Sequence, residues 1–232
     1  MKYRPEIDGL RAVSVFSVIF YHAKINISGF FFLKGGFLGV DIFFVISGFL
    51  ITTIILSEIK LTNSFNFFSF YERRVRRILP ALLTVTLFSS FFAYQILLPN
   101  QLLDFSDSVF SSLFFFTNYF FYFLGEQYNA PPSQFIPLLH YWSLAVEEQY
   151  YILYPLFLYL LFKKNLKIFL SSIIIILLAS LFFSISNNDP ILNFYSLHTR
   201  IWQLLIGGLV AYVVSTNLNL FSEKVENFLV YF

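Results

Sequence analysis

Long apolar runs separated by short polar intervals set the pattern of this chain. Phe37–Ser57 reads FLGVDIFFVISGFLITTIILS, with Asp41 its one charged residue. Comparable runs cover Pro80 to about Leu98, Tyr141–Phe162, Ile168–Ile185 and Arg200–Ser215. A helix needs about 20 mainly apolar residues to cross a bilayer. The pattern therefore predicts an all-α, polytopic transmembrane helical bundle with about six or seven membrane segments. The first span is the least regular. Its apolar run, Ala12–Ala23, is too short to cross, so the helix must draw in Asp8 and Arg11 or extend past His22.

The intervals set expectations for topology. Lys24–Gly36 is a loop. Glu58–Leu79 contains FYERRVRRILP, and Arg73, Arg74, Arg76 and Arg77 mark it as cytoplasmic, with Pro80 near the start of the following span. Val109–Leu124 is apolar but short for a crossing, and is read as re-entrant or interfacial. Glu126–Pro137 then lies outside, Lys163, Lys164 and Lys167 flank a cytoplasmic turn, and Ile168–Ile185 is structural wall. Ser186–Thr199 is expected to be an external loop, and Glu223–Phe232 the approach to a further helix. Within Phe37–Ser57, the small residues Gly39, Ser47 and Gly48 suit close approach of a neighbouring backbone.

Composition narrows the class. With 58% hydrophobic and 12% charged residues, the chain has no plausible soluble core. A net charge of +2 gives no pointer to nucleic acid, and the basic residues instead set orientation. The absence of cysteine excludes disulfides, thiolate metal sites and a cysteine nucleophile. The N-terminal run lacks a small-residue cleavage site and reads as a retained span.

Against this background the ionisable residues in the spans stand out, since each costs roughly 2.5–3.5 kcal/mol at mid-membrane. Arg11 and His22 are eleven residues apart, about 16.5 Å along a helix and on one face, with Asp8 a turn before Arg11. Two readings are open: a snorkelling arginine with an interfacial histidine, or a buried polar stripe with a base at one end and a cation at the other. Arg74 and Arg77 share a helix face, as do Arg73 and Arg76. Their forked guanidinium groups suit phosphate, while a topology signal or anionic-lipid contact is the alternative. Asp41 is expected to face the protein interior. Glu147 and Glu148, about 100° apart on a helix, are expected to point one to a cavity and one to a neighbouring helix. Either could orient a His or Arg, bind sugar hydroxyls or join helices. Trp142 and His140 sit at the outer end of their span, where an aromatic-belt role is the default. His198 reads as a loop histidine, and three widely spaced histidines give little support for a metal site.

Five strings, RPEIDGLRAV…FYHA, GGFLGVDIFFVISGFLIT, FYERRVRRILPAL, LLHYWSLAVEEQYYILYP and FYSLHTRIWQLLIGG, resemble in order and spacing the membrane acyltransferase 3 family. The likeness runs from Tyr3 to about Ala211, and is closest to bacterial members that O-acetylate lipopolysaccharide or other surface polysaccharides. The family's Arg, ten residues, His pattern falls on Arg11 and His22, and its Arg-x-x-Arg on Arg74 and Arg77. The resemblance implies an enzyme that moves an acyl group, usually acetyl, from cytoplasmic acyl-CoA to a hydroxyl of a surface glycan. Lipopolysaccharide O-antigen or a lipid-linked saccharide would be such an acceptor. In that reading His22, with Arg11 and Asp8, carries the chemistry, and Arg74 and Arg77 hold the donor phosphates. Asp41, Trp142, Glu147, Glu148 and Arg200 are polar positions for substrate or structure. It also implies a multi-pass protein of the bacterial inner membrane with a cytoplasmic N-terminus, with no permanently bound cofactor, metal or nucleic acid. Oligomeric state is left open. Residues 1–232 would form one such domain, cut short at its C-terminal end relative to a ten-helix pattern. One departure concerns Gln203, since family members often carry Trp-Glu-Leu where this chain has Trp202-Gln203-Leu204. The competing readings are a proton-coupled transporter, which also uses intramembrane charges, and a non-catalytic membrane fragment.

Overall fold

The computed structural model describes residues 4–24, 26–27, 30–31, 33–127 and 130–216. The expected helix approach at Glu223–Phe232 lies outside them, as does part of the Lys24–Gly36 loop. The described chain is helical: α1 (Pro5–Ala23), α2 (Leu38–Thr62), α3 (Phe67–Ile96), α4 (Pro99–Leu113), α5 (Thr117–Gly125), α6 (Tyr141–Lys164), α7 (Leu166–Ser186), α8 (Pro190–Tyr195) and α9 (Leu197–Ser215). A two-residue antiparallel pair, β1 (Asn26–Ile27) with β2 (Phe30–Phe31), lies between α1 and α2. Among the described residues, four segments are long and apolar enough to cross a membrane: α2, α3, α7 and the stretch Pro190–Ser215 that takes in α8 and α9. Beyond the arginine-rich start of α3, large apolar side chains face outward, as at Leu87, Phe88 and Tyr94 of α3 or Ile175, Phe182 and Ile185 of α7. Such a surface is suited to lipid and not to water.

The chain forms two compact units. One consists of α1, α2, α7 through Leu177 and α9 from Ile201; the other of α3 to α6, the rest of α7, α8 and the start of α9. In the first unit α2 is the spine. A side chain at Gly36 or Gly39 would collide with the backbone carbonyl oxygens of Ser17 or Ser14 on α1, so these two helices touch backbone to backbone. The same close approach joins α2 to α9. A Cβ at Gly48 would overlap the Leu204 carbonyl oxygen, and one at Gly207 the carbonyl oxygen of Val45. Small residues at such crossings trade side-chain area for dispersion contact between main chains. The Lys60 ammonium also donates to the Ser215 carbonyl oxygen, tying the C-terminal ends of α2 and α9 together. Asp41 meets Gln203 near the start of both helices and Lys60 meets Ser215 near their ends, so α2 and α9 run in the same direction, whereas α1 runs antiparallel to α2.

In the second unit Leu82 and Ala93 of α3, Phe105 of α4, and Leu138 and Tyr141 make a buried core. Here the structure revises several boundaries. The arginine-rich stretch is not a connector. It is the first half of a 30-residue α3, started by the Asn66 side chain accepting from the Ser69 N–H at 3.0 Å, and Pro80 lies inside that helix. A proline there forfeits one ladder hydrogen bond, a loss that membrane helices tolerate. Val109–Leu124 is not one segment either. It breaks at Phe114–Phe116, where Phe115 takes a left-handed φ of 53°. Ser186–Thr199 holds α8, whose first N–H groups at Ile191 and Leu192 both bond to the Asp189 carboxylate at 2.9 Å, and α9 begins at Leu197.

The break between α4 and α5 leaves backbone groups that the second unit satisfies with side chains. Gln149 of α6 donates to the Phe115 carbonyl oxygen and to Asn118 Oδ1, both at 2.8 Å. Asn118 donates to the Tyr195 carbonyl oxygen at 3.1 Å, and the Thr117 hydroxyl to that of Tyr141 at 3.0 Å. A buried polar group in this setting costs free energy unless it is paired.

Candidate active site

In the first unit, Asp8 and Arg11 of α1 pair as their spacing suggested, with Nη1 and Oδ1 3.5 Å apart. Of the two readings left open, the buried stripe is not formed by these described residues. Ser14 is the one buried residue of α1, Arg11 is half-buried, and Asp8 and His22 are exposed. The reason is helical phase. The face pressed against α2 is that of Ser14 and Ser17, opposite Gly39 and Gly36, and at about 100° per residue Arg11 and His22 fall on its flank. His22 lies in the last turn, its ring edge-on to Tyr21 with centroids 5.2 Å apart. Asp41, in the first turn of α2, accepts a hydrogen bond from Gln203 Nε2 at 2.9 Å.

In the second unit, Arg74 and Arg77 occupy one face of α3 but not one environment. The Arg74 guanidinium lies 4.6 Å from the Tyr151 ring centroid and 5.6 Å from that of Phe70, and it interacts electrostatically with Glu148 and Glu147. The Tyr151 hydroxyl donates to Glu147 Oε2 at 3.2 Å. Glu148 is buried, with no hydrogen bond to its Oε1. The two adjacent glutamates differ in setting: Glu148 is buried, while Glu147 is engaged by the tyrosine a turn later on its own helix. Arg76 pairs with Glu72 at 2.7 Å on the exposed side, and Arg77 is exposed.

Trp142 departs from the expected surface belt. It is buried, its ring 4.5 Å from Phe194 and 5.7 Å from Tyr195. Arg200 caps this group, 5.8 Å from the Trp142 ring and 5.3 Å from that of Phe194, and its Nε donates to the Phe194 carbonyl oxygen at 3.2 Å. This arrangement fixes α8 against α6 and offers no open indole face for a sugar. Among the described residues, no group of three or more His, Asp or Glu is gathered for a metal ion.

The sequence did not single out Tyr151, although it lies at helical spacing from Glu147 and Glu148. Nor did it single out Asn118 and Gln149, whose polarity within apolar surroundings was the available signal.

The family model described as an acyltransferase domain, that of acyltransferase 3, matches residues 4–222. The chain belongs to the acyltransferase 3 family. Among curated relatives, the peptidoglycan O-acetyltransferase OatA of Listeria monocytogenes is 38% identical over 222 residues, covering 91% of this chain and 34% of that protein. The putative peptidoglycan O-acetyltransferase YrhL of Bacillus subtilis is 37% identical over 91% of this chain and 33% of its own length. The putative O-acetyltransferase SAS0844 of Staphylococcus aureus is 37% identical over 92% and 35%. The chain thus spans about a third of the length of these relatives. No solved structure matches it. Within this acyltransferase 3 chain, the Arg11–His22 and Arg74–Arg77 motifs lie in separate units, as do the Asp41–Gln203 and Arg74–Tyr151–Glu147 groupings.

Proposed function

We propose that this chain serves a membrane-bound O-acetyltransferase that moves acetyl from acetyl-CoA to a hydroxyl of a cell-envelope glycan. The observation that carries the reading is the family match over residues 4–222, which takes in all four motif positions Arg11, His22, Arg74 and Arg77. His22 is the general base, since an imidazole is the side chain suited to take a hydroxyl proton near neutrality. The hydroxyl oxygen attacks the thioester carbonyl carbon, the carbon–sulfur bond breaks, and His22 returns the proton to the departing thiolate. Ester and free CoA result. Arg11, steadied by Asp8, supplies fixed positive charge on the same helix, and Arg77, with Arg74 behind it, grips the CoA phosphates.

The relatives' names favour peptidoglycan as acceptor, and the lipopolysaccharide expectation has no such support. The protein sits in the cytoplasmic membrane with its N-terminus inside, as the arginine-rich start of α3 favours. Six crossings, by α1, α2, α3, α6, α7 and α9, fit the parallel run of α2 and α9, because an odd number of crossings must separate two parallel helices. On that count α4 and α5 return to the side they enter from.

The test is the acetate released by mild alkali from purified envelope glycans of cells with and without the full-length gene. Loss of peptidoglycan acetate on deletion is expected. Loss from another glycan alone overturns the acceptor assignment, and no change in any glycan overturns the activity.

A further inference from the structure

Asp41 and Gln203 are 162 positions apart in sequence yet meet at 2.9 Å, and the backbone around them is held unusually close. Val45 lies one turn beyond Asp41 on α2, and Gly207 one turn beyond Gln203 on α9. It is at Val45 and Gly207 that the two main chains touch, with the Gly48–Leu204 contact beside them. The glycine crossing therefore sets the distance across which the amide reaches the carboxylate.

The register with α1 places a third group at this level. Arg4 stacks over Phe49 at 5.6 Å, Ser14 faces Gly39, and Ser17 faces Gly36. These three contacts define one antiparallel register, and it brings Asp41 level with Arg11 and Ala12. The charged groups of α1 near this depth are Arg11 and Asp8; from Ile201 to Ser215, α9 carries no acidic or basic side chain.

The orientation of the amide follows from chemistry. An ionised carboxylate only accepts, so the Gln203 NH2 must face Asp41 and its Oε1 must face away. Gln203 is 2% exposed and its Oε1 has no hydrogen-bond partner. Leaving a buried acceptor unpaired costs roughly 1–3 kcal/mol. An amide serving only to join two helices would use both ends, and Gln203 uses one.

We propose that Gln203 is a positioning residue: it holds the Asp41 carboxylate at the level of Arg11 and keeps its own carbonyl oxygen for a hydrogen-bond donor of the substrate. This rests on the acetyl-transfer reading above. The test compares Gln203→Met, Gln203→Glu and the exchanged pair Asp41→Asn/Gln203→Glu in the full-length protein. The measurements are glycan acetylation across pH and membrane abundance.

Gln203→Met is expected to lower acetylation on the order of ten- to hundredfold at undiminished abundance, the cost of a misplaced active-site group. Gln203→Glu is expected to add an alkaline limb to the profile of the unaltered protein, because two carboxylates in contact cannot both ionise freely. The exchanged pair keeps one carboxylate and one amide, so it is expected to reach normal abundance with low activity. Wild-type activity in the exchanged pair would show that only the helix-joining hydrogen bond matters, and would overturn the proposal. So would Gln203→Met activity within twofold of wild type. If Gln203→Met does not accumulate, the exchanged pair decides. Failure of the acetyl-transfer reading itself would appear separately, as absence of acetylation by the unaltered protein.

Discussion

The guanidinium of Arg74 rests 4.6 Å from the centre of the Tyr151 ring, while Arg77, one helical turn further along α3, is exposed. Two arginines that look equivalent in the sequence therefore have different tasks open to them. Arg74 is already engaged by Phe70, Tyr151 and the glutamate pair, and in the acetyl-transfer reading proposed above Arg77 is the one left to meet the donor.

Arg77→Ala is expected to raise the KM for acetyl-CoA with little change in abundance, and Arg77→Lys to recover it only in part, because an ammonium cannot make the bidentate contact of a guanidinium. Arg74→Ala is expected to act mainly on stability, by leaving Glu148 buried without its cation. Tyr151→Leu should cost about 0.5–2 kcal/mol through the lost ring contact. Donor KM and thermal unfolding in detergent separate these effects. Equal KM changes for the two alanine variants would show that both arginines bind the donor directly.

The continuous apolar runs of α2 and α7 were plain in the sequence, because burial in lipid leaves a local record that nothing distant can erase. Glycines at 39 and 48 were likewise legible as close-approach sites, though not which helices they would admit. What was hidden was non-local. The left-handed turn at Phe115 is accompanied by a hydrogen bond from Gln149, 34 positions away, to its carbonyl oxygen. Pro80 looked like a boundary because a proline's local effect is to break helices, while the surrounding apolar setting favours keeping this one whole. The Asp41–Gln203 contact had no sequence signal beyond two polar residues in apolar runs. The site motifs were legible as residues but not in their environments. Burial of α1 depends on a helical phase set by Gly36 and Gly39, which put His22 on the flank.

Glycine substitutions test the helix crossing directly. Gly207→Ala places a methyl group on the Val45 carbonyl oxygen, and relief requires separating α2 from α9. A loss of several kcal/mol, on the order of 1–3 or more, is expected from such overpacking. Gly9→Ala in α1 meets nothing within 4 Å and should instead stabilise its helix by roughly 0.5–1 kcal/mol. Thermal unfolding in detergent would show opposite shifts. Equal, small shifts would mean that the crossing is looser than described.

The clamp at the α4–α5 break gives another expectation. Gln149→Leu removes the donor to Phe115 and Asn118 together, leaving two buried acceptors, at a cost of about 1–3 kcal/mol each. Limited proteolysis in membranes should then cut faster near residues 114–116 than in the unaltered protein. Unchanged protection would show that the break is held by packing and not by this side chain.

Topology can be read with single cysteines, since the chain contains none. Ser133→Cys and Asn165→Cys flank the 24-residue α6, and both positions are exposed. An impermeant thiol reagent added to intact cells should label the first and spare the second. Labelling of both would remove α6 from the set of crossings and reverse the assigned direction of α7 and α9.

The assignment of chemistry to α1 turns on His22. Eleven residues, about 16.5 Å, separate it from Arg11, so on an outward-running helix it lies toward the external side, where a glycan hydroxyl would approach. His22 is exposed, its ring edge-on to that of Tyr21. His22→Gln keeps the capacity to hydrogen-bond but cannot take up a proton. In the full-length protein it is expected to reduce glycan acetylation on the order of 10²–10⁴-fold, the usual contribution of a positioned base. Membrane abundance and acetyl-CoA binding should persist, because α1 packs on α2 through Ser14 and Ser17 and not through His22. Acetate released from purified glycan, measured beside acetyl-CoA binding to the same membranes, checks both halves. Near-normal acetylation by His22→Gln would exclude His22 as the base, and loss of acetyl-CoA binding as well would point to a role in holding the donor.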